Sequence, residues 1–370
     1  MKKITIFHQI IAPYRIDFFN ELSHNYDCSI HLFWRNLNNQ KFEYKNILAQ
    51  LQFQPDYIVK EELGLMKWMK SIWKTLSNEK PQIVIVSEYG LSTFLTVIHR
   101  FFTKSNYKIV NICDDSYNMV SEDNYFTLRH KYAQKLAVPY MDEIVNVEPR
   151  TAEWYQDKYK KGVFFPIICD DKIAAGRQNK VLPISEEYVK KYSLEGKKVL
   201  LFVGRLVALK NLAFAIEGFV KASIPGSVFV IVGDGEEMEN LKKMSENCQN
   251  IIFTGRLEGD NLYAWYNIAS VLTLPSYQEA FGAVTNEALV AGCNALVSKD
   301  AGSNCLIDNG ENGYIIDPND MCDYISKLVM TINGTLPVNL PLTVRKSLMP
   351  KSFADYFSVV KNRMDCLLKS

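Results

Sequence analysis

The sequence predicts an α/β protein with two Rossmann-like, doubly wound domains that face each other across a cleft. Two observations lead to this prediction. Short, continuous runs of valine, isoleucine and leucine alternate with helix-length amphipathic stretches, which is typical of parallel strands covered on both faces by helices. The chain also has 370 residues, a length that fits two domains of ordinary size better than one.

The first half of the chain carries this alternation from its start. We predict strands over residues 4–7, 29–33, 83–86, 108–112 and 143–147. We predict helices over residues 15–22, 65–76, 91–102 and 125–138. The domain boundary is expected near residues 161–183, where residues 174–177 are weakly patterned, so we expect a first domain formed by residues 1–170.

The second half repeats the alternation with cleaner boundaries. We predict strands over residues 199–203, 228–232, 251–254, 271–274, 295–298 and 314–316. We predict helices over residues 212–221, 236–245, 259–268, 284–291 and 320–331. A second domain of residues 171–345 is therefore expected, followed in residues 346–370 by a last amphipathic helix.

Composition excludes several classes of protein. Lysine and arginine total 42 against 41 aspartates and glutamates, and this balance argues against a nucleic-acid binder, whose affinity comes largely from neutralised phosphates. The 8 cysteines form no Cys-x-x-Cys pair and no zinc-finger spacing, which predicts a reducing, cytoplasmic compartment. No apolar run reaches the ~18 residues of a membrane span.

Ligands of open parallel sheets bind outside the carboxyl ends of the strands, so the loops after strands are the places to look. Gly204, Arg205 and Lys210 lie between a predicted strand and a predicted helix. Gly204 permits a sharp turn, and two cations beside a helix N-terminus suit an anion such as a diphosphate. Two solvated loop cations would give the same pattern.

A second loop, after the strand predicted over residues 271–274, carries two glutamates. Glu279 lies in the loop, Gly282 lies where the next helix should begin, and Glu287 lies about one turn inside that helix. The amides of residues 281–283 would be free to face a ligand. A carboxylate at the depth of Glu287 needs a partner, and vicinal sugar hydroxyls would supply one. A capping carboxylate followed by an ordinary helical glutamate is the alternative.

A third loop reads Gly-Asp-Gly at residues 233–235. This sequence matches half of a dinucleotide-binding fingerprint, but a tight strand-to-helix turn explains it as well.

Together these motifs resemble retaining glycosyltransferase family 4, whose members have the GT-B fold. The Pro-Tyr-Arg sequence at residues 13–15 resembles a branch of bacterial surface-polysaccharide transferases, such as those of O-antigen or capsule. The resemblance covers roughly residues 199–316, with Gly-Arg and a lysine five residues after the arginine, Gly-Asp-Gly, Phe-Thr-Gly at 253–255 and two glutamates at the family's spacing. It implies a nucleotide-sugar donor, no metal cofactor, and a closing helix that returns to the first domain. It also implies front-face displacement, in which the leaving phosphate helps to take the acceptor proton.

The resemblance also assigns roles to residues of the second half. Arg205 and Lys210, in the loop that Gly204 opens, would bind the donor diphosphate and stabilise it as it leaves. Glu279 would contact the transferred sugar, so these three charged residues are the implied catalytic set.

The remaining donor contacts that the resemblance implies are Phe281, Gly282, Ala283, Glu287, Arg256 and Leu257. Glu287 would hold the ribose hydroxyls, and the backbone of residues 281–283 would approach the sugar and phosphate. Residues 256 and 257 would contact the base, mainly through their backbone.

The first half offers candidates for the acceptor side of the cleft. His8 follows the first strand, Arg15 opens the first helix, and Asp114 and Asp115 follow the strand predicted over residues 108–112. Each has a structural alternative. His8 could be a hydrogen-bonded structural histidine, and Arg15 could hold the first helix in place. The two aspartates could cap a helix together with Ser116. Helix 65–76 places apolar residues on one face and three lysines opposite, which a core helix and a membrane-surface helix both predict.

We therefore expect a cytoplasmic transferase, peripheral on the inner face of the membrane. It would move a hexose-type sugar from a nucleotide donor, UDP before GDP, to a glycan or a polyprenyl-linked or other lipid-linked acceptor. The alternatives are a sugar-nucleotide epimerase of the same fold, an NAD-dependent oxidoreductase and a non-catalytic scaffold.

Overall fold

The computed structural model describes residues 2–35, 44–121 and 128–369. The chain divides into two compact units. Unit 1 comprises Met1–Ile167 and Ala354–Ser370, and unit 2 comprises Ile168–Phe353. The sequence prediction had set the divisions after residues 170 and 345.

Unit 1 contains a seven-stranded sheet in the order β3-β2-β1-β4-β5-β6-β7. Its strands are β1 (Lys3–His8), β2 (Asp27–Leu32), β3 (Asp56–Tyr57), β4 (Ile83–Ser87), β5 (Lys108–Cys113), β6 (Glu143–Asn146) and β7 (Val163–Phe164). All neighbouring strands are parallel, and β1 lies between β2 and β4 with Ile4 opposite both Cys28 and Ile83. The two-residue edge strands β3 and β7 are too short for any apolar run to predict them.

The helices of unit 1 confirm the predicted alternation and add to it. They are α1 (Ile16–Asn25), α2 (Tyr44–Leu48), α3 (Lys60–Leu63), α4 (Leu65–Glu79), α5 (Leu91–Thr103), α6 (Tyr117–Ser121), α7 (Leu128–Ala137) and α8 (Pro149–Tyr159). The helix predicted over residues 125–138 corresponds to α7, and its first three residues lie outside the described part of the chain. α4 is a core helix, since Trp68, Ile72 and Leu76 are buried against the sheet.

Unit 2 contains a six-stranded parallel sheet in the order β10-β9-β8-β11-β12-β13. Its strands are β8 (Lys198–Val203), β9 (Ser227–Val232), β10 (Ile251–Gly255), β11 (Val271–Leu274), β12 (Asn294–Ser298) and β13 (Gly313–Ile316). Side chains alternate between the faces of a strand, and both alternating sets are buried. Leu200 and Phe202 pack in one core cluster, while Val199 and Leu201 on the other face are equally inaccessible. Burial on both faces explains why these strands appear in the sequence as continuous apolar runs.

Its helices are α9 (Asp171–Lys191), α10 (Leu212–Ala222), α11 (Met238–Met244), α12 (Gly259–Ile268), α13 (Ala283–Val290) and α14 (Met321–Gly334). α9 corrects the prediction, because the sequence analysis expects a domain boundary near residues 161–183 and predicts no helix there. The carboxylate of Asp170 caps its first turn, accepting hydrogen bonds from two backbone amides. A buried stripe then packs against α12, so tertiary burial outweighs the internal Gly176 and Pro183 that obscure the periodicity.

The closing helix α15 (Phe353–Leu367) matches the predicted last helix and packs on unit 1. Tyr26 donates a hydrogen bond to Asp365 at 3.1 Å, and Arg363 pairs with the buried carboxylate of Glu143 at 2.9 Å. Within the described ranges, no helix is both long enough and apolar enough to cross a membrane.

Candidate active site

Each sheet has a switch point, where the strand order reverses and ligands of such folds bind. In unit 2 the switch point lies between β8 and β11, and in unit 1 between β1 and β4. The loops after β8 and β11 contain the first two motifs that the sequence analysis singled out. Both motifs therefore meet at the switch point of unit 2.

The loop after β8 turns at Gly204 and contains a short 3-10 helix, Ala208–Lys210. The amide of Tyr277 donates to the carbonyl of Leu209 at 3.0 Å, which ties this loop to the one after β11. Arg205 is exposed, and among the described residues it has no ion-pair partner. A free guanidinium at this position is available to an anion.

Lys210 and Glu279 form an ion pair at the switch point, although they lie 69 residues apart in the sequence. Both side chains are largely buried. Burial, with the nearby charge of Arg205 as the second cause, lowers the pKa of Lys210 to about 8. The carboxylate of Glu279 acts in the opposite direction, because it stabilises the ammonium form. The sequence placed these two residues in one site but did not predict their contact.

The loop that carries Glu279 is fixed by the segment after β12. The backbone amide of Glu279 donates to the carbonyl oxygen of Asp300 at 3.2 Å, and the amide of Ser303 donates to the carbonyl oxygen of Phe281 at 2.7 Å. The ring of Phe281 is buried, so this residue can offer a ligand only its backbone. Within the described part of the chain, the amides of residues 281–283 donate no hydrogen bond, as the motif predicted.

Two glycines permit the close packing behind these loops. Gly282, at φ +95°, is the N-cap of α13, and a Cβ there would lie 2.6 Å from Leu274. Gly233, in the Gly-Asp-Gly segment, has φ +155°, and a Cβ there would lie 1.9 Å from the carbonyl oxygen of Gly204. Leu206 donates to the carbonyl of Asp234 at 2.9 Å. The Gly-Asp-Gly segment therefore supports the cationic loop as a tight turn, which is the second of its two interpretations.

Glu287 lies on α13 and faces α9 and α12. Tyr266 donates a hydrogen bond to its Oε2 at 2.6 Å. Burial raises the pKa of Glu287, while the Tyr266 hydrogen bond and the charge of Arg177 lower it. The partner that the sequence analysis required is thus a tyrosine hydroxyl of the chain itself. Oε1 has no hydrogen bond within the described residues and remains available to a ligand.

Arg256 and Leu257 follow β10, the edge strand two places from β8. Arg256 is exposed and paired with Glu258, with Nε to Oε1 at 2.9 Å. Leu257 is half-buried. The guanidinium of Arg256 is thus already engaged, which is compatible with contacts through the backbone.

At the switch point of unit 1, His8 ends β1. Its Nδ1 lies 2.8 Å from the carbonyl oxygen of Ile10. A carbonyl can only accept, so Nδ1 carries the proton and Nε2 presents a lone pair. Burial lowers the pKa of His8 to about 4, with Arg15 as the next cause, so the ring is neutral near pH 7. His8 is therefore a hydrogen-bond acceptor at the end of the central strand.

Arg15 forms an ion pair with Asp114 and is only 2% exposed. Its Nε and Nη1 atoms have no hydrogen-bond partner in the described ranges. The pair joins the segment after β1 to the end of β5, so Arg15 does more than pin the first helix. The first amide of α6, that of Tyr117, donates a hydrogen bond to Glu148 at 2.6 Å, so Glu148 takes a capping role that the sequence analysis considered for Asp114 and Asp115.

Glu88, which follows β4, is a site residue that sequence reasoning missed. Its Oε1 accepts the amide of Asp114 at 3.2 Å, and its Oε2 lies 3.9 Å from Cys113 Sγ. Burial, with the charges of Asp115 and Asp114, raises the pKa of Glu88 to about 8. No spacing in the sequence links Glu88 to residues 113–115, and only its place after a buried strand hints at a role.

Glu88, Cys113 and Asp115 are the one group among the described residues whose ligand atoms lie close enough to hold a metal ion. Burial raises the pKa of both Glu88 and Cys113, so their protonated forms are favoured in the chain without a bound cation. We therefore describe this group as a proton-holding cluster.

Comparison with known proteins gives a family match within unit 2. Residues 184–332 match the family described as glycosyl transferases group 1, and this range contains every site residue of unit 2 named above. The match to this family therefore lies within unit 2, and the two parallel-sheet units have the GT-B fold.

Particular relatives and structures extend this similarity. The chain is 36% identical over 142 residues to the Escherichia coli UDP-Gal:alpha-D-GlcNAc-diphosphoundecaprenol alpha-1,3-galactosyltransferase, which is 35% of this chain and 35% of that protein. It is 31% identical over 156 residues to a D-inositol 3-phosphate glycosyltransferase of Acidothermus cellulolyticus, 38% of this chain and 35% of that protein. The chain thus matches only about a third of the length of these curated relatives.

Two solved structures resemble the chain over nearly its whole length. Anabaena HepE in complex with UDP gives a TM-score of 0.73 at 14% identity, covering 100% of both chains. The lipopolysaccharide outer core galactosyltransferase WaaB gives 0.67 at 18% identity, covering 99% of both. At these identities the similarity establishes the fold.

Proposed function

We propose that the protein is a retaining glycosyltransferase that moves a hexose-type sugar from a nucleotide diphosphate donor, UDP by preference. The observation that supports this most is the Lys210–Glu279 ion pair beside the unpaired Arg205, at the switch point of a group 1 glycosyltransferase domain. The UDP complex of HepE and the UDP-galactose enzyme of Escherichia coli support the choice of nucleotide.

In this proposal, the positive charges of unit 2 stabilise the leaving diphosphate. Arg205 and Lys210 bind its oxygens as the bond from the sugar C1 to the phosphate oxygen breaks, so that cationic side chains take the place of a metal ion. Glu279 accepts hydroxyl hydrogen bonds from the sugar, and Glu287 uses its Oε1 for the ribose. The new bond from C1 to the acceptor oxygen forms on the same face, and the acceptor proton passes to the departing phosphate.

The acceptor belongs to unit 1 in this proposal. Neutral His8, protonated Glu88 and the Arg15–Asp114 pair offer acceptors and donors suited to sugar hydroxyls. A lipid-linked or growing surface glycan is the proposed acceptor, in a cytoplasmic protein that meets the membrane from inside. The diphosphoundecaprenol in the name of the Escherichia coli relative supports that choice.

The test begins with thermal-shift measurements on the full chain with UDP, GDP, NAD and a panel of UDP- and GDP-sugars. We expect stabilisation by UDP and by one UDP-sugar, slow hydrolysis of that sugar alone, and transfer to an undecaprenyl-diphosphate-linked sugar. NMR of the product should show that the anomeric configuration of the donor is kept.

Other outcomes would overturn the proposal. Fast interconversion of the donor sugar without an acceptor would indicate an epimerase, and binding of NAD but not UDP an oxidoreductase. Failure to bind any nucleotide would indicate a non-catalytic scaffold.

A further inference from the structure

α5 buries polar side chains beside the apolar Leu95 and leaves large aromatic side chains exposed. It buries Ser92, Thr96 and His99 while it exposes Phe101 and Phe102, which are 76% and 72% accessible. The buried polar groups are satisfied: His99 lies 3.1 Å from both Ser77 Oγ and the hydroxyl of Tyr107. Both ring nitrogens of His99 thus have partners on the inner face of the helix, while the rings of Phe101 and Phe102 face solvent.

The exposed aromatic surface continues beyond α5. α7 packs beside α5, and Arg100 donates a hydrogen bond to the carbonyl of Tyr140 in the turn that follows α7. Three further large side chains, those of Tyr132, Leu136 and Tyr140, are exposed in this neighbouring segment. We call the whole set the aromatic face: Ile98, Phe101, Phe102, Tyr132, Leu136 and Tyr140.

The two helices that carry most of the aromatic face have charged side chains of one sign. Residues 91–104 and 128–137 contain no aspartate or glutamate. They contain five cations, which are Arg100, Lys104, Arg129, Lys131 and Lys135. Arg100 is paired with Asp142, whereas Lys104, Arg129 and Lys135 are exposed. Exposed aromatic rings among lysines and arginines complement an interface of acyl chains and anionic headgroups.

We propose that the aromatic face docks the protein on a bilayer that contains anionic phospholipid. The rings insert at the level of the headgroups, and the surrounding cations pair with lipid phosphates. This surface differs from helix 65–76, whose Trp68 is buried in the core. Docking does not depend on the proposed function, but its use in reaching a lipid-linked acceptor rests on it.

The test is flotation of the full chain with vesicles of phosphatidylglycerol and phosphatidylethanolamine, and with vesicles of phosphatidylcholine alone. We expect co-flotation with the anionic vesicles, weakened by salt. The double variant Phe101→Ser/Phe102→Ser should lower partitioning at least tenfold, since two interfacial aromatic anchors are lost. Lys104→Glu/Lys135→Glu should lower binding to the anionic vesicles.

Two matched controls locate the effect. Met66→Ser removes an exposed apolar side chain of α4, and Leu336→Ser removes an 86% exposed side chain of unit 2. Both should float like the unaltered chain. The UDP-induced thermal shift of every variant should also be unchanged, which separates failure to dock from failure of the nucleotide site.

Several results would overturn the proposal. One such result is an unaltered chain that does not bind anionic vesicles. Another is a double phenylalanine variant that binds them as well as the unaltered chain does. A stable dimer in solution that the double variant converts to monomer would identify a second copy of this chain as the occupant.

Discussion

The two switch points differ in their charge and in how openly the sequence displays them. In unit 2, Arg205, Lys210 and Glu279 leave one net positive charge, in loops marked by short motifs. In unit 1, Arg15 is paired with Asp114, while His8 and Glu88 are neutral near pH 7. Two sheets of the same topology thus present one site suited to an anion and one suited to hydroxyls and protons.

The comparison predicts its largest effect at Lys210. Lys210→Ala removes a buried cation from the proposed leaving group, and we expect kcat/KM for the donor to fall about a thousandfold. Lys299→Ala is the matched control, because Lys299 follows β12 in the same unit and pairs with Asp317 at 2.6 Å. That control should stay within about twofold of the unaltered chain. If kcat/KM fell equally in both variants, the switch point would have no special role in donor binding.

Tyr266→Phe tests whether Glu287 is held in place by its hydroxyl partner. The variant removes a hydrogen bond to a buried carboxylate, so we expect the KM for the donor to rise about tenfold with kcat little changed. The control is Tyr192→Phe, since the Tyr192 ring packs on Trp265 and its hydroxyl has no hydrogen bond within the described residues. An unchanged KM in Tyr266→Phe would contradict the assignment of Glu287 to the donor.

Glu88→Gln tests the proton-holding character of unit 1. The pKa of Glu88 is raised from 4.5 to about 8, so the folded chain binds a proton that the unfolded chain has released. The free energy of unfolding should therefore fall as the pH rises from about 4.5 to about 8. Glutamine cannot ionise, so the variant should lose part of this slope and melt about 5 °C higher than the unaltered chain at pH 8.5.

Thermal unfolding followed by circular dichroism from pH 5 to pH 9 measures this slope. Glu62→Gln is the control, because Glu62 is exposed and pairs with Arg35 at the surface. It should leave the slope unchanged. A slope that Glu88→Gln does not alter would mean that Glu88 is ionised throughout, and the two switch points would then be less different than we infer.

The smallest effect is expected at Arg256. Its side chain is exposed and paired with Glu258, so Arg256→Ala should raise the KM for the donor by no more than about threefold. Kinetics with UDP- and GDP-sugars would check this. A loss as large as that of Lys210→Ala would mean that the guanidinium contacts the donor directly.

Much of unit 2 could be predicted from the sequence because its signals are local. Strands buried on both faces appear as continuous apolar runs, and Gly204, Gly233 and Gly282 mark turns that demand small residues. The contact between Lys210 and Glu279 could not be predicted, because it depends on which strands become neighbours. Likewise, the Tyr266 hydroxyl reaches Glu287 only through the packing of α12 beside α13.

Unit 1 was harder to predict because its polar cluster is assembled from separate strands without a motif. Glu88 and residues 113–115 meet because β4 and β5 are adjacent, and nothing in their spacing indicates that contact. α9 was missed for a related reason, since Gly176 and Pro183 interrupt a periodicity that burial against α12 restores. The exposure of Phe101 and Phe102 on α5 also needed the structure, because the sequence pattern alone does not say which apolar side chains of this helix lie inside.

Isothermal titration with UDP tests the central claim most directly, because it needs neither the donor sugar nor the acceptor. We predict that the unaltered chain binds UDP, that Lys210→Gln weakens binding at least thirtyfold, and that Glu88→Gln binds like the unaltered chain. Full UDP affinity in Lys210→Gln, or its loss in Glu88→Gln, would contradict the assignment of the anion to the switch point of unit 2.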